Sequence, residues 1–148
     1  MGGQNTLYLS KTNNKKGVVE IKKKLSILIV EDSLLIVKRL RLLLNDFDCV
    51  DEIYQANNAD EALLISSQLK PNVIFLDIKI PGRSGVEVLP DLLKQKFSIV
   101  IVLSNYSDES YRKLCIDRGA NYFLDKSNEF DKIKEILNTI YSKEYAPN

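Results

Sequence analysis

Residues 25–32 read LSILIVED and residues 73–77 read VIFLD, and each stretch is a short apolar run that ends in acidic side chains. Two further apolar runs follow along the chain, IVIVL at 99–103 and YFLD at 122–125. Runs that are apolar at nearly every position are typical of strands buried on both faces of a parallel sheet. The four runs therefore predict strands of an α/β fold.

Segments with helical periodicity alternate with these runs. The predicted strands are 25–30, 52–56, 73–76, 99–103 and 122–124. The predicted helices are 34–45, 58–69, 86–94, one capped by Ser107 or Asp108 that runs to Arg118, and one capped by Ser127. Asn58 with Glu61 predicts a cap for the second helix, and Pro90 should kink or shorten the third. Five strand–helix units imply an all-parallel sheet with helices on both faces. Right-handed crossovers favour a doubly wound, flavodoxin-like sheet in which the five strands have the order 2-1-3-4-5.

Polar side chains stand where the predicted strands end. Glu31 and Asp32 follow the first strand, Asp77 follows the third, Ser104 the fourth and Lys126 the fifth. Ligands of open α/β sheets bind at the carboxyl ends of the strands, so these side chains should converge on one pocket. Acids attract a hard divalent cation such as Mg²⁺, and a hydroxyl and an amine suit a phosphoryl group. A carboxylate can also attack a phosphoryl group and form an acyl phosphate.

The charge is unevenly distributed over the 148 residues. Residues 1–24 carry six lysines and one glutamate, which gives +5, and the remaining 15 basic and 19 acidic residues give −4. A mildly acidic folded part argues against a nucleic-acid-binding core. The first 24 residues are polar and rich in Asn and Lys, which predicts a disordered extension.

Two further features of the composition limit the possible chemistry and location. The chain has no histidine, so it cannot carry its own phosphohistidine or a His-containing metal site. Its two cysteines, Cys49 and Cys115, lack metal-type spacing, and the absence of a disulfide pattern favours a reducing cytoplasm. No apolar run approaches the ~20 residues of a membrane span, so we expect no membrane insertion.

Taken together, residues 25–143 resemble the receiver domain of two-component response regulators. The segment DIKIPGRSG at 77–85 is similar to the phosphoacceptor loop of that family, including the proline and the glycine four and eight residues after Asp77. The acidic pair Glu31-Asp32 and the DKS motif around Lys126 also fit the pattern. The resemblance implies a domain that is phosphorylated on Asp77.

The resemblance also implies a role for each site residue. The expected roles are metal binding by Glu31, Asp32, Asp77 and the backbone carbonyl of Lys79, contact with the phosphoryl group by Ser104 and Lys126, and a switch in which the Tyr122 ring follows the Ser104 hydroxyl. The expected cofactor is Mg²⁺.

The sequence therefore predicts a single-domain response regulator. Residues 1–24 would be the basic extension, 25–143 the receiver domain and 144–148 a short tail. A histidine kinase or phosphotransfer protein would phosphorylate Asp77 in trans, and a downstream protein would read a changed surface on the fourth helix, the fifth strand and the fifth helix. We expect a monomer or weak dimer with no nucleic-acid partner and no enzymatic activity beyond its own phosphorylation and slow dephosphorylation.

Two alternatives remain open at this stage. The first is an interaction module that keeps the receiver fold and does not use phosphorylation, although such degenerate receivers usually lose an acid or the lysine, and this chain has them all. The second is a phosphatase of the haloacid-dehalogenase type. That mechanism needs a second aspartate two residues after the nucleophile as a general acid/base, and Lys79 stands there.

Overall fold

The computed structural model describes residues 6–10, 20–96, 98–105 and 109–145, which form strands and helices in alternation. The elements are β1 (Thr6–Ser10), β2 (Glu20–Val30), α1 (Leu34–Asn45), β3 (Val50–Ala56), α2 (Ala59–Leu69), β4 (Val73–Asp77), α3 (Gly85–Leu93), β5 (Ile99–Ser104), α4 (Glu109–Asp117), β6 (Tyr122–Asp125) and α5 (Lys132–Tyr145). No helix within these described ranges is both long enough and apolar enough to cross a bilayer.

Five of the strands form a parallel sheet. β3 pairs with β2, and β2, β4, β5 and β6 follow side by side. Counted among themselves, these five strands have the order 2-1-3-4-5, so the predicted doubly wound, flavodoxin-like fold is confirmed. The chain reverses its direction of winding between β2 and β4. That reversal places a ligand-binding crevice at the carboxyl ends of these two strands.

The sheet separates two hydrophobic cores, because successive side chains of a strand point to opposite faces. On β2, Ile27 and Ile29 belong to the core that α1 and α5 cover, whereas Leu28 and Val30 belong to the core that α2, α3 and α4 cover. All four side chains are fully buried. Burial on both faces explains why the strand sequence shows no alternation of apolar and polar residues.

The amino-terminal region differs from the predicted disordered extension. Within residues 1–24, Thr6–Ser10 forms β1, which pairs antiparallel with Glu20–Lys24 at the start of β2. This half of β2 projects beyond its pairing with β3 and β4, which begins at Leu25 and Ile27. β1 therefore supplies hydrogen-bond partners for a stretch of backbone that would otherwise lack them. This difference concerns only residues 6–10 and 20–24, since the rest of the first 24 residues lies outside the described ranges.

Helix α3 contains Pro90 without ending there. Because proline lacks an N–H, the carbonyl of Val86, four residues earlier, loses its helical partner. The Arg118 guanidinium donates to that carbonyl over 3.2 Å instead. The helix therefore continues for one turn past Pro90 and ends at Leu93, one residue before the predicted end.

Other helix boundaries test the predicted caps. The Asn58 side chain caps α2 by accepting the Glu61 N–H, as predicted. The predicted cap of α4 at Ser107 or Asp108 lies outside the described residues. Ser127 does not cap α5, which begins at Lys132, because the residues after β6 form turns in which the Asp125 carboxylate accepts the Ser127 N–H.

A close approach of backbone to backbone fixes the loop between β4 and α3. Gly85 donates its N–H to the Ile78 carbonyl over 2.7 Å. A Cβ atom at Gly85 would lie 2.4 Å from the Asp77 carbonyl oxygen and 2.8 Å from the Ile78 Cα, both of which are backbone atoms. Only glycine fits there, which explains the glycine eight residues after Asp77.

We predict that Gly85→Ala lowers the free energy of unfolding by about 2 kcal/mol, because the loop backbone must move to admit a methyl group. Urea denaturation measures the change. Gly82→Asn is the control, since Gly82 has φ +85 but no atom within 4 Å of the point that a Cβ would occupy, and asparagine tolerates that conformation. An equal loss in both variants would contradict the close-approach explanation.

Candidate metal and phosphoacceptor site

Three carboxylates and one ammonium group meet at the carboxyl ends of β2, β4 and β6. Lys126 Nζ lies 2.7 Å from Glu31 Oε1 and 3.0 Å from Asp77 Oδ1. Carboxylate oxygens of Glu31, Asp32 and Asp77 all lie within 4.8 Å of one another. The structure therefore brings together four of the residues that the sequence assigns to one site.

Backbone N–H groups orient two of the carboxylates. Glu31 Oε2 accepts the N–H of Ser33 over 3.1 Å, where the chain turns from β2 into α1. Asp77 Oδ1 accepts the N–H of Lys79 over 3.3 Å, in the loop that Gly85 holds close to β4. Both carboxylates are therefore fixed by the backbone that immediately follows their own strands.

Ser104 and Lys126 are tied together through the backbone. The Lys126 N–H donates to the Ser104 carbonyl over 2.9 Å, and the register of the two strands pairs Ser104 with Asp125. Ser104 is fully buried at the end of β5. Sheet pairing thus places the hydroxyl-bearing residue directly beside the strand that carries the lysine.

Burial shapes the electrostatics of the site. Asp77 is only 6% exposed, and Glu31 and Lys126 are also buried, whereas Asp32 is exposed at the surface of the site. Burial and the Glu31 charge raise the pKa of Asp77 to about 6, and Lys126 opposes this shift. Burial acts to lower the pKa of Lys126, but its hydrogen bond to Glu31 and the charge of Asp77 outweigh burial and raise that pKa.

The donor set fits a magnesium ion. Three carboxylates and one ammonium group leave the site with two negative charges when all four groups are ionised, which a divalent cation would balance. All the side-chain donors are oxygens, the ligands that Mg²⁺ prefers. Glu31, Asp32 and Asp77 would hold the ion. The contribution of the Lys79 carbonyl stays a prediction.

The structure does not bring Tyr122 to Ser104, which corrects the predicted switch pair. Tyr122 lies opposite Ile101 in the sheet and packs into the core beneath α1 and α5. Strand alternation puts Ser104 on the other face with Val102, where Phe123 is buried. Phe123 is therefore the aromatic side chain that shares the α4 side of the sheet with Ser104.

The alternation along β6 shows from the sequence alone that only one of the two neighbouring aromatic residues can face α4. Neighbouring residues of a strand point to opposite faces, so Tyr122 and Phe123 could never both face α4. The choice between them required knowing which face α4 covers. That information comes from packing.

Comparison with known proteins identifies the family. The sequence profile described as the response regulator receiver domain matches residues 27–138. The chain belongs to this family of receiver domains.

Two curated relatives illustrate the similarity. The chain is 34% identical over 109 residues to the DNA-binding transcriptional activator EvgA of Escherichia coli (strain K12), covering 72% of this chain and 52% of EvgA. It is 33% identical over 110 residues to the uncharacterized transcriptional regulatory protein YvfU of Bacillus subtilis (strain 168), covering 74% of this chain and 55% of YvfU. The chain thus spans about half the length of the curated relatives it matches.

A solved structure shows the same fold. The response regulator domain of Thermotoga maritima CheB superposes with a TM-score of 0.71 at 25% sequence identity, covering 81% of this chain and 96% of that domain. The likeness extends over nearly the whole of a known receiver domain.

The raised pKa of Asp77 predicts a dependence of stability on pH. Below about pH 4 both the folded and the unfolded state hold the proton, and as the pH rises through about 6 the folded state must release it against burial and Glu31, so this contribution to stability is lost. Asp77→Asn cannot ionise. In metal-free buffer at pH 7 we expect it to be more stable than the wild type by about 2 kcal/mol, with the difference closing toward pH 4.

Urea denaturation in EDTA between pH 4 and pH 8 tests this expectation. The exposed aspartate variant Asp60→Asn is the control, and its difference from the wild type should not follow the same course with pH. A stability difference for Asp77→Asn that stays constant over this range would contradict the assigned cause.

Proposed function

We propose that this receiver accepts a phosphoryl group on Asp77 from a histidine kinase or phosphotransfer protein. One observation carries the proposal: the Asp77 carboxylate is buried beside the Lys126 ammonium and within 4.8 Å of oxygens from two more acids. This is an arrangement for a nucleophile, a divalent cation and a phosphoryl group. The two free cysteines, Cys49 and Cys115, support a reducing cytoplasm as the place of action.

Each residue has a distinct part in the proposed step. Asp77, largely ionised above its pKa of about 6, supplies the carboxylate oxygen that bonds to phosphorus, while the donor's bond to phosphorus breaks and its electron pair leaves with the donor. Lys126 exchanges its ion pair with Asp77 for one with the transferred group. Mg²⁺, held by Glu31, Asp32, Asp77 and the Lys79 carbonyl, would neutralise the charge of the phosphoryl oxygens when bound.

The signal that phosphorylation sends to a partner would depend on Phe123, which lies on the same side of the sheet as Ser104. We propose that the Ser104 hydroxyl bonds a phosphoryl oxygen and that Phe123, on the same side of the sheet, adjusts with it. Phe123 supports α4 through the Arg112 guanidinium, which lies 4.9 Å above its ring. Phosphorylation would in this way change the surface formed by α4, β6 and α5, and a downstream protein would read that surface.

The two alternatives carry less support. A phosphatase of the haloacid-dehalogenase type would need an aspartate at position 79 as its general acid/base, and this chain has Lys79 there instead. A module that does not use phosphorylation would not need Lys126 buried against Glu31 and Asp77, because burying charged groups is unfavourable. The site residues argue instead for a phosphoacceptor that performs no turnover beyond its own phosphorylation and dephosphorylation.

The comparisons bear on the partners. Because EvgA is named a DNA-binding transcriptional activator, the expectation that nucleic acid is not a partner gains no support from its relatives. Asp77, α4 and β6 all lie within residues 27–138, the part of the chain that matches the family.

Incubation with acetyl phosphate and Mg²⁺ should add one phosphoryl group to the protein, and the label should be labile to base, as acyl phosphates are. Asp77→Asn should abolish labelling because it removes the nucleophile, and EDTA should strongly reduce it because the phosphoryl charge is no longer neutralised. Intact-mass spectrometry measures the label. Asp60→Asn is the control, and undiminished label in Asp77→Asn would contradict the assignment.

Variants on the two faces of the sheet test the proposed output. Ser104→Ala should still be labelled, but phosphorylation should shift the backbone amide NMR signals of α4 less than in the wild type, because the reporting hydroxyl is gone. Phe123→Leu should weaken the response in the same way. Tyr122→Leu is the matched control on the opposite face. A full response in Ser104→Ala and Phe123→Leu would show that the coupling runs elsewhere.

A further inference from the structure

A cluster of polar side chains outside the phosphoacceptor site links α4 to the loop that carries Lys126. Arg112 of α4 donates from Nη2 to Glu129 Oε1 over 3.0 Å and from Nη1 to the Phe123 carbonyl over 2.8 Å. Its guanidinium also lies over the Phe123 ring. One side chain of α4 therefore holds both β6 and the loop that follows β6.

Glu129 closes that loop from the other side. Its Oε1 accepts the N–H of Asp125 over 3.0 Å, while its own N–H donates to the Asp125 carbonyl over 2.9 Å. Its Oε2 accepts Lys132 Nζ over 2.7 Å. The hydrogen bonds from Lys132 and from the Asp125 N–H are the main causes that lower the pKa of Glu129 to about 2.

The hydrogen bonds of Arg112 and Glu129 lie on both sides of Lys126 along the chain, and the proposed function depends on Lys126. Lys126 follows Asp125 directly, its N–H is bound to the Ser104 carbonyl, and its ammonium reaches the buried acids. The position of its backbone is thus set on one side by β5 and on the other by the reciprocal pair of Asp125 and Glu129. A shift of that pair would also move the Lys126 Cα, because Lys126 follows Asp125 directly.

We propose that Glu129 is a positioning residue for Lys126, and that Arg112 makes this position depend on where α4 lies. The inference rests on the proposed function, because it assigns Lys126 a part in phosphorylation. Coupling of this kind is reciprocal: holding α4 in place favours the placement of Lys126, and placing Lys126 on a phosphoryl group favours that position of α4. Arg112 and Glu129 are the physical connection between the two.

The burial of this ion pair distinguishes it from another on the same helix. The side chains of Arg112 and Glu129 are 32% and 19% exposed, whereas those of Lys113 and Asp117, which pair at 2.9 Å on α4, are 76% and 59% exposed. Solvent-exposed ion pairs contribute little to the stability of a fold. Lys113 and Asp117 also contact no residue of the Lys126 loop through this pair, so they provide a matched control.

The first test measures the rate of Mg²⁺-dependent labelling of Asp77 at saturating acetyl phosphate. We expect Glu129→Gln and Arg112→Gln each to slow labelling roughly tenfold, because small misplacements of a group that acts on the reacting atoms have large effects on rate. Lys113→Gln should label like the wild type. Thermal denaturation checks that every variant is folded at the assay temperature. A wild-type rate in Glu129→Gln would overturn the positioning role, and a wild-type rate in Arg112→Gln alone would overturn its dependence on α4.

The second test asks whether Glu129 acts through Lys126, which a merely structural role would not require. Combined with Lys126→Arg, Glu129→Gln should slow labelling much less than it does alone, because the lysine whose position it sets is absent. In the otherwise unchanged protein, Glu129→Gln should shift the NMR signal of the Lys126 ammonium group, and Lys113→Gln should not. A full additional loss of rate in the double variant, or an unshifted ammonium signal, would overturn the inference.

The two proposals fail in different ways. If the wild type is labelled on Asp77 and Glu129→Gln labels equally fast, only the positioning role is wrong. If the wild type takes no label on Asp77, the proposed function is wrong, and the positioning role, which rests on it, is overturned with it.

Discussion

Lys126 forms buried ion pairs with Glu31 and Asp77, and the neighbouring strands and loops must keep these three charged groups in contact. Two acids are buried at the ends of neighbouring strands, and only one ammonium group among the described residues lies between them. Burial of like charges is unfavourable, which is visible in the raised pKa of Asp77. The fold must therefore hold the acids and the lysine in place by other means, and the site keeps an unbalanced negative charge that favours a cation.

Backbone contacts around the site hold the acids and the lysine in place. The Gly85 approach holds the loop after Asp77, the Ser33 N–H fixes Glu31, and the pairing of β5 with β6 fixes the start of the Lys126 loop. Each contact involves a residue at the end of a strand, or directly after it, and the sheet has already set the position of that strand. The buried apolar strands thus provide the rigidity that a cluster of repelling charges cannot provide for itself.

Two departures from the sequence-based predictions have a common cause. The disorder predicted for the first 24 residues overlooked an antiparallel pairing of Thr6–Ser10 with the start of β2. The predicted switch pair took Tyr122, although Phe123 lies on the α4 side of the sheet. In both cases the deciding information was a contact between distant segments. Composition and local pattern do not contain such contacts.

The strands, their order and the convergence of Glu31, Asp32, Asp77 and Lys126 follow from the amino-acid sequence alone, because runs such as VIFLD are apolar enough to be buried on both faces and their ends share one edge of the sheet. Asn58 likewise capped a helix as its local pattern indicated, because capping is a short-range interaction. Which side chains face one another across elements depended instead on the packing of the folded chain. Arg112 meets Glu129, and Arg118 satisfies the carbonyl freed by Pro90, because α4 packs against β6 and α3 in one particular register. Such registers arise from the packing of whole elements, which no local pattern specifies.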